Sequence, residues 1–245
     1  MQRDTKRFSH HRFRLTNGIL QSLASLSRYN TILNNVYALD NALRLWGYTC
    51  VLYNMHTVAA DGKLTDFQEF LRALSGKISD ARTVNRVTYG LPASVAGVFA
   101  YGSDMSIESI LGRIMALTMV LYHPLEHGWY FTTLKSNIFG IDGGKWSLWS
   151  CRMWLIYVIC DFIGTVKKLQ EVSTGLEAKN IDKEQQSSLL RLRRNLIIWL
   201  TCIFSDFPIA LQYSVASGPF SDRLLAWAGW YGGLAGLYRR WLNAQ

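Results

Sequence analysis

The string His123-Pro124-Leu125-Glu126-His127 is the place where residue type and spacing point most directly to catalysis. Its H-x-x-E-H order is that of inverted zinc metallopeptidases, in which two histidines hold Zn²⁺ and the glutamate is general base. Proline at 124 works against that chemistry, because the residue before a proline is steered away from helical backbone. The two imidazoles are therefore not expected to share a helix face, and no acidic third ligand stands in a matching frame. A structural turn is the better reading, with Glu126 and the histidines hydrogen-bonded to nearby backbone. The expectation is no enzyme, no catalytic residue, no metal and no cofactor.

Other chemistry is sparse. Cys50, Cys151, Cys160 and Cys202 show no C-x-x-C spacing and sit in apolar surroundings, which predicts reduced, buried thiols. There is no G-x-S-x-G, Walker loop or dinucleotide fingerprint, and Gly143-Gly144-Lys145 lacks the rest of a phosphate loop.

The elements that position these residues read as helices. The 245 residues include only four prolines but nine tryptophans and twelve tyrosines, so little punctuation is available for strands and turns. The fold class expected is all-α, a membrane-associated chain with amphipathic helices and one to three hydrophobic helices. A basic tail at 1–14 leads into helical patterns at 18–28 and 30–58, and Ala59–Gly62 is a break. Thr65 and Gln68 form a capping-box pattern, and Gly90 and Pro92 are expected to end that helix, giving an amphipathic helix over 65–89. The division expected is a cytosolic helical region at 15–91, a hydrophobic helical region at 92–166, a charged helix or linker at 167–194, and C-terminal hydrophobic helices at 195–245.

On the 65–89 wheel, Phe67, Phe70, Leu71, Leu74, Ile78 and Ala81 share one arc, while Arg72, Lys77, Arg82 and Arg86 lie off it. Long basic side chains bordering an apolar stripe reach lipid phosphates while the stripe lies among acyl chains. A surface helix of a globular core shows the same wheel, so the pattern alone does not choose. The net charge of +9, from 26 Lys+Arg against 17 Asp+Glu, asks for an anionic partner. Aromatics do not alternate with basic residues as an RNA-binding sheet requires, so an acidic phospholipid membrane is expected and nucleic acid is not.

No run of eighteen residues is free of charge. Residues 146–166 are apolar but carry Arg152 and Asp161; residues 195–213 contain Asp206 and Pro208; residues 224–238 are uncharged. In the last, Gly229, Gly232, Gly233 and Gly236 form a helix stripe almost without side chains, suited to close helix packing and self-association in a membrane. Residues 15–29 lack the continuous apolar stretch of a secretory signal, while the Arg- and Ser-rich opening keeps a mitochondrial presequence as the alternative.

Several of these strings together resemble the peroxin-eleven family, most closely its gamma or C-type branch. Asp40-Asn41-Ala42-Leu43-Arg44 with Gly47-Tyr48-Thr49-Cys50 resembles the early D-x-x-x-R helix and its G-Y-x-C continuation. Ile78 to Arg86 is similar to the S-x-x-R-x-x-x-R amphipathic helix, and Tyr122 to His127 to the branch's Y-x-P-x-E-H turn. Ser205-Asp206-Phe207 with Ala210-Leu211, then Gly229 to Gly236 with Tyr238, resemble the late segments in order. The resemblance implies a peroxisomal membrane protein that promotes elongation, proliferation and fission. Its amphipathic helix would insert into one leaflet, and it would self-associate and cooperate with a tail-anchored fission receptor and a dynamin-related GTPase. Both termini would be cytosolic, which leaves the basic stretch 167–194 awkward if it is lumenal.

A second function class stays open, a channel or metabolite-conducting membrane protein, motivated by Arg152, Asp161 and Asp206 within apolar segments. A zinc hydrolase and a soluble helical adaptor are the remaining readings.

Overall fold

A computed structural model describes residues 28, 33–58, 62–100, 105–136, 138–178 and 182–243. The basic tail, nearly all of the 18–28 helix, most of the 59–62 break and residues 101–104 lie outside the described residues. Six long helices are present among them: α1 (Val36–Thr57), α2 (Asp66–Ala100), α3 (Ile107–Leu134), α4 (Gly143–Glu177), α5 (Lys183–Ser214) and α6 (Asp222–Asn243). No strand occurs among the described residues, as the composition predicts.

Local chemistry sets most of the helix starts. The Asn35 side chain accepts from the backbone N–H of Tyr37 and Ala38, at 3.1 and 3.3 Å, and so opens α1. The capping box ahead of α2 forms as the sequence predicts. The Gln68 N–H donates to Thr65 Oγ1 at 3.3 Å, and the Thr65 N–H donates back to Gln68 Oε1 at 2.8 Å. Ser106, Asp142 and Asp182 cap α3, α4 and α5. The backbone N–H of Lys145 holds the Asp142 carboxyl below its ordinary range.

Prolines are where local reading fails. Gly90 and Pro92 do not end α2, which continues to Ala100 and crosses the boundary expected at 91–92. Gly90 serves close packing instead: a Cβ there would lie 2.3 Å from the His123 ring. Pro124 and Pro208 likewise sit inside α3 and α5. An interior proline loses one backbone hydrogen bond, and neighbouring helices hold the turn in register regardless. The turn expected at 123–127 is therefore absent, and α3 runs through it to Leu134.

The helices close into a ring. Each packs against its neighbours in sequence, and α6 returns against α1. All six contacts are antiparallel: Asp40 meets Arg82, Thr83 meets His127, Gly128 meets Trp146, Asp161 meets Trp199, Ser205 meets Gly232, and Thr49 meets Trp230. The start of α1, the α4–α5 link and the end of α6 consequently share one end of the ring. The charged stretch 167–194 is the tip of the α4–α5 hairpin at that end, not a separate linker.

The buried apolar core is small, centred on Val158, Ile203 and Ala210 between α4 and α5. Large apolar side chains face outward instead, among them Trp46, Phe99, Leu121, Ile163, Phe204 and Trp227. Among the described residues two helices are long and apolar enough to cross a membrane, α4 and α5. The short segment expected at 224–238 lies within α6.

Candidate functional site: an ion-paired cavity inside the helix ring

Charged side chains drawn from four helices meet inside the ring. Arg82 of α2 grips Asp40 of α1 with two bonds, Nε to Oδ1 at 3.0 Å and Nη2 to Oδ2 at 3.1 Å. One turn on, Arg86 grips Glu126 of α3 the same way, at 2.9 and 2.5 Å, and its Nη1 stands 3.7 Å from Asp40. The Tyr122 hydroxyl donates to Glu126 at 2.5 Å. Across the ring, Arg44 of α1 donates to Asp206 of α5 at 2.5 Å and to the Gly229 carbonyl of α6 at 3.0 Å. Planar forks meeting carboxylates side by side are the strongest hydrogen-bonded pairs a protein interior offers.

These groups line a central cavity of about 920 Å³ whose walls come from α1 to α5 and include Asp40, Arg86, Tyr89, Trp154, Asp206 and Tyr213. Three guanidinium groups and three carboxylates balance, so the cavity is polar without net charge from these pairs.

The H-x-x-E-H string contributes to this network and is not a turn. Its residues are continuous α-helix, and the imidazole centroids are 6.4 Å apart. The correction is that Pro124 fails to displace His123. Glu126 is taken by Arg86 and Tyr122 rather than by backbone. His127 does bond to backbone as expected, with Nδ1 2.5 Å from the His123 carbonyl and Nε2 3.1 Å from the Thr83 carbonyl. Both His127 nitrogens face carbonyl oxygens inside the helix pair, and no cluster able to hold a metal occurs among the described residues.

The expected membrane-binding residues divide into two groups. Phe67 and Phe70 are more than half exposed and stack at 6.3 Å, with Tyr53 edge-on to Phe67 at 5.6 Å. Arg72 and Lys77 are exposed on the same helix, Arg72 on the side away from the two rings. Leu71, Leu74 and Ile78 are half-buried, Ile78 lying against Gly47 of α1. Arg82 and Arg86 do not flank a lipid-facing stripe. Their guanidinium groups turn inward, because the carboxylates that fit them come from α1 and α3, elements a single-helix wheel does not contain.

The glycine stripe is occupied within the chain. Gly229 faces the Tyr48 ring, Gly232 faces Ser205 and Arg44, Gly233 faces the backbone of Asn41 and Leu45, and Gly236 faces the Asn41 side chain. It is the seat on which α6 closes the ring against α1.

Of the charges noted in apolar segments, Asp206 belongs to the cavity. Asp161 is instead held by the Trp199 indole N–H at about 3.0 Å and by Thr165, and Arg152 donates to the Ser214 carbonyl and lies over Trp149. Asp40, Arg44, Tyr122 and Glu126 stand in separate strings of the sequence that do not show them meeting, although a charge recurring on an otherwise apolar helix face is a legible sign of an interior partner.

Comparison with family models matches residues 26–241 to peroxisomal biogenesis factor 11 (PEX11). No curated protein and no solved structure matches the chain. The family match runs from before α1 to the last turn of α6, so it takes in the whole ring and every ion pair inside it: the chain belongs to the PEX11 family of peroxisomal biogenesis factors.

Proposed function

We propose that this chain is an integral protein of the peroxisomal membrane that promotes elongation, proliferation and fission of the organelle, closest to the gamma or C-type branch of its family. The observation that carries the reading is its inverted polarity. Arginine–carboxylate pairs fill the inside of the ring while large apolar side chains cover the outside, the arrangement hydrocarbon demands and water penalises. Membership of a peroxisomal biogenesis family supports the organelle and the process.

Remodelling is assigned to the first turns of α2. Phe67 and Phe70 project as an apolar edge on a helix that also exposes Arg72 and Lys77, a set able to wedge into one leaflet while the long basic side chains reach phosphates. Arg82 and Arg86 hold the helix to the ring. Self-association uses the outward apolar faces, since the glycine stripe is filled, and a tail-anchored receptor and a dynamin-related GTPase complete fission.

The test replaces both aromatics, Phe67→Ser with Phe70→Ser. The side chains are exposed, so folding and retention in carbonate-washed membranes are expected to stay as in the parent. Elongation of peroxisomes on overexpression is expected to disappear. Elongation that persists at equal expression overturns the assignment.

The cavity favours a second reading, a conduit for small solutes. Ala93 lines it, and Ala93→Trp is expected to abolish solute flux into vesicles containing the protein while leaving organelle length unchanged. Unaltered flux removes this reading.

A further inference from the structure

We propose that the α4–α5 hairpin tip lies on the same side of the membrane as both termini, and that Arg191, Arg193 and Arg194 there bind the anionic phospholipid headgroups of that leaflet. The inference rests on the membrane-embedded reading above and adds to it a sidedness and a lipid site.

Sidedness follows from the ring. With every neighbouring pair antiparallel and six helices in sequence, the link between the fourth and fifth must emerge where the first begins and the last ends. Contacts at that end agree: Asn195 of α5 donates to Asn243 of α6 at 2.7 Å, and Arg240 of α6 lies over Tyr37 of α1. The basic stretch that fits poorly in a lumenal loop is therefore placed beside the start of α1 and the end of α6. The α1–α2 turn, with its Phe67 and Phe70 edge, falls at the opposite end.

The lipid site follows from the outer face of α5. Leu190, Ile197 and Phe204 recur every seven residues and are 50%, 46% and 63% exposed, forming an apolar stripe along the outside of the helix. Arg191, Arg193 and Arg194 are all exposed at the tip end of that stripe. Among the described residues none of the three pairs with a carboxylate, in contrast to Arg44, Arg82 and Arg86 inside the ring. Lys167 and Lys168, near the same end, are already engaged, with Glu108 and Glu171. A stripe suited to acyl chains that ends in unpaired guanidinium groups sets those groups at phosphate depth. Guanidinium forks bind phosphate oxygens in pairs, and clustered cations beside a span concentrate acidic lipid.

Two measurements test it. For sidedness, Ser187, exposed on the tip, is changed to cysteine and labelled with a membrane-impermeant maleimide in sealed peroxisomes, with epitope tags at both termini probed by protease. Labelling and tag cleavage on the same side are expected; opposite sides overturn the proposal even if carbonate extraction shows the chain embedded. Release by carbonate would instead remove the embedded reading itself. For the lipid, the full chain is reconstituted in phosphatidylcholine vesicles with or without phosphatidylserine, and its association with spin-labelled phosphatidylserine is measured. Replacing all three arginines with glutamine is expected to weaken that association on the order of 100-fold, and salt is expected to weaken it in the parent. Equal association by parent and triple variant, or a parent that does not distinguish phosphatidylserine from phosphatidylcholine, overturns the lipid assignment.

Discussion

Replacing Arg86 by methionine is expected to destabilise the folded chain by about 3–5 kcal/mol, the cost of leaving a buried carboxylate without its cation. Arg86 makes two bonds to Glu126, and the Glu126 residue is only 6% exposed. Without the guanidinium, the Tyr122 hydroxyl is the remaining donor to that carboxylate. Asp40 loses less, because Arg82 still grips both of its oxygens. The double variant Arg86→Met with Glu126→Met removes both charges and is expected to recover most of the loss, since apolar replacement of a whole buried pair is often nearly neutral. A double-mutant cycle on denaturant unfolding in detergent reads the coupling directly. Lys77→Met is the surface control: its side chain is 84% exposed and its pairing with Asp80 spans 3.9 Å, so a change within about 0.5 kcal/mol is expected. If Arg86→Met behaves like Lys77→Met, the network is ornamental and the interior of the ring is held by apolar contact alone.

What the sequence discloses about this network depends on how far apart the partners lie. The capping box at Thr65 and Gln68 is a contact across three residues, and the pattern alone predicts it. The all-α class and the two apolar helices follow from composition and run length, which are also local. Arg86 and Glu126 are 40 residues apart, and Arg44 and Asp206 are 162 apart. Their pairing depends on ring closure, which no window of sequence contains. A helical wheel therefore sends Arg82 and Arg86 to the lipid, because it counts only what shares their own helix. The prolines mislead for a related reason. Pro92 and Pro124 are strong terminators in isolation, but packing of α2 against α3, with Gly90 set beneath the His123 ring, outweighs the loss of single backbone bonds. The glycine stripe shows the same division: its need for a close neighbour is legible from spacing, while the identity of that neighbour is not.

That neighbour sets the second large effect. Gly233→Ala is expected to destabilise the chain by about 1–3 kcal/mol, whereas Gly76→Ala is expected to stabilise it by about 1 kcal/mol. Both glycines are in helices, and the difference lies in what a new methyl group would touch. At Gly76 nothing stands within 4 Å, so alanine only removes the conformational cost of glycine in a helix. At Gly233 the added carbon would lie 2.8 Å from the Leu45 backbone nitrogen and 3.0 Å from the Asn41 carbonyl oxygen. Backbone cannot rotate aside as a side chain can, so α6 must move away from α1 and the seam where the ring closes must widen. At Gly236 the obstacle is the side chain of Asn41, which can shift, so Gly236→Ala is expected to cost less. The comparison also separates two uses of the stripe. A seam between copies would make the Gly233→Ala defect depend on protein concentration and change the assembled mass while each chain stayed folded. A seam inside one chain makes the loss of stability independent of concentration. Unfolding at two concentrations in detergent, with the mass of the complex followed alongside, distinguishes them, and the backbone contacts of Gly233 lead us to expect the second.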